Sequence, residues 1–171
     1  MTIRTLTAAA LALAIALLPA TSGFARTFTG ENTIGVETDL MRRVQEGLEM
    51  IYARDYQQAL RHFREVNELY PDSAVGHFGR SVVFQAMMLE NFDYEYVDVY
   101  RVEADKAKAL VERSLRSPQQ KGWNLFIYAG IVGLDGLDRV RGGDLLTAFN
   151  KGWDAIEAMK KAKRAEPTFA D

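Results

Sequence analysis

Between Leu40 and Leu69 the apolar residues fall mainly at three- and four-residue steps, and that periodicity restricts this stretch to helix. Leu40, Val44, Gly47, Leu48 and Ile51 share one helical face, with Arg42, Arg43, Gln45, Glu46 and Glu49 between them. A half-buried strand would instead alternate at every second residue. ARDY interrupts the pattern, and Tyr56, Ala59, Leu60, Phe63, Val66 and Leu69 then make a second stripe that ends at Pro71. Proline has no N–H to donate and its ring collides with the preceding turn, so the helix cannot run through it. The patterned part of the chain therefore opens with a helical hairpin.

The same reading continues to the C-terminus. A third helix is expected from Ser73 to Glu90, carrying Val75, Phe78, Val82, Phe84, Ala86 and Leu89. ENFDYEY is the expected turn, with Asn91 able to take a left-handed conformation and Asp93 able to cap the next helix. A fourth helix, with Val97, Val102, Ala107, Val111 and Leu115, ends before Pro118, and SPQQKG is a loop. A fifth runs from Trp123 to Val140, RGGD turns the chain, and a sixth runs from Leu145 to Ala165 and closes at Pro167. No segment is patterned as a strand. The expected fold is all-α, about six helices arranged as hairpins.

The N-terminus reads differently. Arg4 precedes the apolar run LTAAALALAIALLPA, and Gly23 and Ala25 supply the small residues a signal peptidase reads, so a signal peptide over 1–25 with cleavage after Ala25 is expected. An uncleaved membrane anchor is the alternative. RTFTGENTIGV (26–36) lacks apolar periodicity and reads as a flexible leader, which leaves 37–171 as the helical domain. The expected location is the periplasm or the cell exterior, with no membrane span once the signal peptide is cleaved. The chain has no cysteine, which removes disulfides and thiolate metal sites, so packing alone must stabilise it. Its 21 basic and 23 acidic side chains, one of the basic ones being Arg4 in the expected signal peptide, give no support for nucleic acid or an anionic membrane as partner.

Internal spacing narrows the fold. Gly47 to Ala59 is 12 residues, Ala59 to Phe63 is 4 and Phe63 to Pro71 is 8, with Tyr56 closing the RDY turn before the alanine. These intervals resemble the tetratricopeptide repeat, a helical hairpin of about 34 residues. The resemblance implies a short α-solenoid in which Gly47 and Ala59 let paired helices approach, Phe63 fills the gap and Pro71 separates the units. It places the next small position at Ser81 and the following aromatic at Phe84. A second match puts Gly136 12 residues before Ala148, with GGDL where RDYQ stood. There Gly152 occupies the aromatic slot and Pro167 comes seven residues late, so the sixth helix is longer; residues 87–117 fit no standard repeat.

The resemblance also implies a protein or peptide partner on the concave side of the first helices, here Met41, Val44, Leu48, Ile51 and Tyr52, then Val75, Phe78 and Val82, then Leu134, Leu137 and Val140. Val44, Leu48, Gly79, Gly130 and Leu134 stand where carboxylate-gripping repeats carry donors, and none has a side chain that can donate. An apolar helix, peptide or acyl chain suits this face better, unless the hairpins bury it against themselves. After the sixth helix AEPTFAD offers no polar cap. That implies a shortened chain, an end covered by a partner or a second copy, or an outer face made polar by Lys160, Lys161, Lys163 and Arg164.

Two other stretches stand out. NFDYEYVDVYR carries Phe92, Tyr96 and Tyr100 along one stripe, with Tyr94 beside it, either as core or as an interface patch. YAGIVGLDGL repeats glycine at 130, 133 and 136, each costing about 1 kcal/mol relative to alanine in a helix. Either helix four or six packs closely there, or the row lines a ligand groove. His62 and Glu65 sit one turn apart, with His77 on the next helix, a spacing that helix surfaces carry without binding metal. Asp and Glu are abundant, but no pair is set in an apolar context that would raise one pKa, and no nucleophile elbow or phosphate-cradling loop is present in the sequence. The sequence therefore reads as a non-enzymatic, cofactor-free and metal-free scaffold for a protein or peptide, with Val44, Leu48, Ile51, Tyr52, Phe78, Val82, Tyr94, Tyr96 and Tyr100 as partner-binding residues and self-association open. The alternative is a carrier of a small apolar ligand near Tyr128.

Overall fold

In the computed structural model, residues 36–167 are described; the expected signal peptide, the leader over 26–35 and residues 168–171 lie outside them. Among the described residues six helices occur in order: α1 (Thr38–Tyr52), α2 (Tyr56–Leu69), α3 (Val75–Asn91), α4 (Val97–Ser114), α5 (Lys121–Arg141) and α6 (Leu145–Ala165). No strand occurs among the described residues. Val36, placed at the end of the leader, is already buried.

The two turns matched in the sequence share one backbone design. At the end of α1, Arg54 N–H donates to Ile51 O (3.0 Å) and Asp55 N–H to Met50 O (2.9 Å), with Arg54 left-handed at φ 62°. At the end of α5, Gly143 N–H donates to Val140 O (3.1 Å) and Asp144 N–H to Arg139 O (3.0 Å), with Gly143 at φ 79°. Both are Schellman endings, which satisfy carbonyls the helix leaves free. In both, the next residue is an aspartate that starts the following helix. Asp55 accepts from Gln58 N–H (3.3 Å) and Asp144 from Thr147 N–H (3.1 Å). Each cap is worth about 1 kcal/mol.

Each helix packs on the next, and α1 and α5 both also touch α3, so the first helices of successive hairpins stand side by side. Phe63 of α2 is the central joint: a Cβ on Gly47 of α1 would lie 2.3 Å from its Cζ, and one on Gly79 of α3 2.3 Å from its Cδ1. Only bare backbone admits the ring on either side. Ala59 and Val66, one turn away on each side, are fully buried. Ser81 and Phe84 are buried as well, but the small residue that meets Phe63 is Gly79.

The middle of the chain departs from expectation in detail. α3 runs through Asn91, so the left-handed residue is Phe92 (φ 52°). Asp93 accepts from Glu95 N–H (3.3 Å) inside the turn, and α4 starts at Val97, with Tyr96 at its N-cap making no side-chain cap. α4 ends before Pro118, as expected, at Ser114, where Arg116 and Ser117 N–H groups turn back to Arg113 and Ser114; α5 starts at Lys121, so Lys121 and Gly122 of the expected SPQQKG loop are helical.

α5 and α6 pair along their length across small residues. A Cβ on Gly136 would meet Lys151 Cβ at 3.3 Å, Ala148 O at 3.4 Å and Gly152 N at 3.7 Å, and one on Gly133 would meet Ala155 Cβ at 3.8 Å. Ala158 and Ala162 are buried in the same seam. α6 makes no comparable contact with any other described helix.

Candidate interaction surfaces

The expected concave face is half closed. Val44, Leu48, Ile51 and Val82 are partly buried, and Tyr52 is 66% exposed. Phe78 packs instead into α5, where a Cβ on Gly130 would lie 2.5 Å from its Cζ. The glycine row is thus filled by Phe78 of α3 at Gly130 and by α6 at Gly133 and Gly136. Helix three, not helix four, closes its first position.

The tyrosine-rich turn splits in two. Tyr100 is 2% exposed and belongs to the core, so it cannot touch a partner. Its position between α3 and α5 follows from chain pairing about forty residues away, which no local pattern encodes. Tyr96 is half-buried and stacks on Phe84 at 5.9 Å. Tyr94 stays 55% exposed, with the Arg141 guanidinium 5.6 Å from its ring centre, and Phe92 is 79% exposed.

Around Tyr100 lies a polar cluster that ties α3, α4 and α5 together. Arg101 Nε donates to Asp138 Oδ2 (2.9 Å) and Arg141 Nη1 to Gln85 Oε1 (2.9 Å). Gln85 and Asp138 are both buried. Burial, and then the carboxylates of Asp138 and Asp135, hold the Tyr100 phenol far above its usual range, while burial pulls Arg141 down. A second buried charge, Glu103, accepts from His77 Nδ1 (2.7 Å) and pairs with Arg80 (3.3 Å). His62 donates through Nε2 to Arg43 O (2.7 Å). Glu65 is exposed on the same helix, and no group of three His, Asp or Glu suited to a metal occurs among the described residues.

The most exposed apolar surface lies on α6. Leu145 (66%), Leu146 (74%), Phe149 (69%), Trp153 (56%) and Ile156 (50%) all face outward. The helix is apolar on both sides, with alanine and glycine turned to α5 and bulky residues turned away. Lys160 continues the outer stripe, its ammonium 5.6 Å from the Trp153 ring centre. An outer face made polar by Lys160, Lys161, Lys163 and Arg164 is therefore confined to the last turns. The residues at 145–156 escaped the sequence reading because periodicity scores alanine and tryptophan alike. Sorting them by size would have separated the two faces.

No described helix is long and apolar enough to cross a membrane. Comparison of the chain with protein-family models, with curated proteins and with solved structures finds no match in any of the three.

Proposed function

We propose that this chain is a non-enzymatic scaffold of tetratricopeptide-like hairpins, acting in the periplasm or outside the cell, that binds a polypeptide along the outward face of α6. The observation that carries the reading is the stripe Leu146, Phe149, Trp153 and Ile156, each at least half exposed on a helix whose other side is already packed. Isolated exposed apolar residues are ordinary, but a contiguous row with two aromatics matches the anchors that interfaces use. The half-open face with Tyr52, Leu48 and Ile51 and the exposed Tyr94 offer secondary contacts. A small apolar ligand is less well served, because Phe78, Ala155 and Lys151 fill the glycine row near Tyr128. Two surface clefts lie elsewhere, one beside Lys121, Leu125 and Lys161 and one beside Tyr70 and Trp123.

The test is site-specific photocrosslinking in cells expressing the full sequence, with benzoylphenylalanine at Trp153 and, as control, at exposed Ala109 on α4. A polypeptide adduct at 153, absent at 109 and abolished by Phe149→Lys, is the expected result. Lipid adducts, or equal labelling at the two positions, would refute it.

A further inference from the structure

Resting on that reading, we propose that the polypeptide seated on α6 is a second copy of this chain, docked antiparallel about a two-fold axis between Phe149 and Trp153. The stripe is self-complementary: Leu146, Phe149, Trp153 and Ile156 are spaced 3, 4 and 3, the same in either direction. An isologous interface requires this, since one patch must serve both sides. Antiparallel docking sets Leu146 against Ile156 and Phe149 against Trp153, matching aliphatic with aliphatic and ring with ring. The pairing spans about three helical turns.

Charge selects the orientation and the occupant. Past Ile156 the outer face turns basic with Lys160, Lys163 and Arg164. A parallel pair would stack these clusters on each other. The antiparallel pair separates them and lays each beside the other copy's α5–α6 turn, where Asp144 is exposed. In this register Asp144 is level with Ala158 and within one turn, about 5.4 Å along the axis, of Lys160 and Lys161 of the second copy. The chain as a whole is net −2, and Glu157 lies beside the stripe, features that favour a protein surface with its own acidic groups over an anionic bilayer.

The absence of cysteine makes the register directly testable. Chains purified from cells expressing the full sequence would carry Phe149→Cys or Trp153→Cys, be mixed, and be oxidised. The expected product is the mixed 149–153 disulfide in several-fold excess over either same-position disulfide, since opposed residues of a close helix pair fall within disulfide reach. Sedimentation velocity of the unmodified chain should show a dimer, and Trp153→Asp should return a monomer with unchanged helical circular dichroism. Excess same-position disulfides, a monomer at every concentration, or Trp153-dependent flotation with phosphatidylglycerol vesicles would each overturn the second copy. A monomer that still crosslinks another polypeptide at 153 would sink this inference alone, whereas vesicle binding without any polypeptide adduct would sink the scaffold reading too.

Discussion

The ring of Phe63 occupies the volume that a side chain at position 79 would need, with a Cβ there falling 2.3 Å from Cδ1. The ring cannot retreat, because its other edge lies on Gly47 with the same clearance. Gly79→Ala gains about 1 kcal/mol of helix propensity and loses more through overpacking, typically 1–3 kcal/mol. We expect a net fall in the urea midpoint, partly recovered by adding Phe63→Leu. An unchanged midpoint would show that α2 and α3 can separate at no cost.

Removing the hydroxyl of Tyr100 should have the opposite sign. The oxygen is buried with no hydrogen-bond partner among the described residues. Such a group forfeits its hydration, at a cost of about 1–3 kcal/mol, and gains nothing in exchange. Tyr100→Phe is expected to leave stability unchanged or raise it by about 1 kcal/mol, read as a higher thermal midpoint.

Glu103 should be among the least tolerant polar positions. It is 5% exposed and holds both His77 and Arg80, whose Nε is itself buried without a partner. Glu103→Ala leaves those groups uncompensated and should cost about 3–5 kcal/mol in chemical denaturation. By contrast, Leu146, Phe149 and Trp153 can each be made polar with stability changes within about 0.5 kcal/mol in the monomer, because the face is solvent-exposed.

Asp39 and Tyr70 should shape both ends of the pH–stability curve. Asp39 accepts from Arg43 Nε (2.7 Å), from Arg42 and from Tyr70 Oη (2.8 Å), and these bonds hold its carboxyl well below the ordinary 3.8. Near pH 3.8 the unfolded chain binds more protons than the folded one, so this stabilisation is complete above 3.8 and drains away as pH falls toward the folded value. The hydrogen bond to Asp39, then desolvation, pushes Tyr70 from 10.0 up to about 12. Across that window the unfolded phenol ionises first, and stability falls as pH rises. Asp39→Asn should flatten the acid limb and lower the Tyr70 midpoint in a tyrosinate absorbance titration. Tyr70→Phe should flatten the alkaline limb and, by removing one of the bonds to Asp39, also soften the acid limb in part.

Much of the architecture was legible because it is written locally. Pro71, the RDY and GGD turns and the three- and four-residue steps each act within one or two helical turns, and α2 and α6 have the ends that their residues announce. Exceptions within a turn are Phe92, which takes the left-handed place offered by Asn91 because α3 runs one residue further, and Asp93, which accepts from Glu95 N–H instead of capping α4. The candidate surface was less legible for a different reason. Whether Tyr100 is core and Tyr94 surface depends on where α5 lies, through Gln85 and Arg141 meeting across 56 residues. Likewise, which apolar side of α6 faces in is set by the glycines of α5, which admit alanine and leave no space for tryptophan.

The glycine–alanine seam also bears on how quickly this part of the molecule can assemble. Gly136 meets Ala148 across only 12 residues, so its loop-closure cost is small beside that of the Gln85–Arg141 bond. Zipping outward from the GGD turn, α5 and α6 should reach their paired state ahead of the longer-range clasp. Their bulky outer row would then be on display while the rest of the chain is still searching.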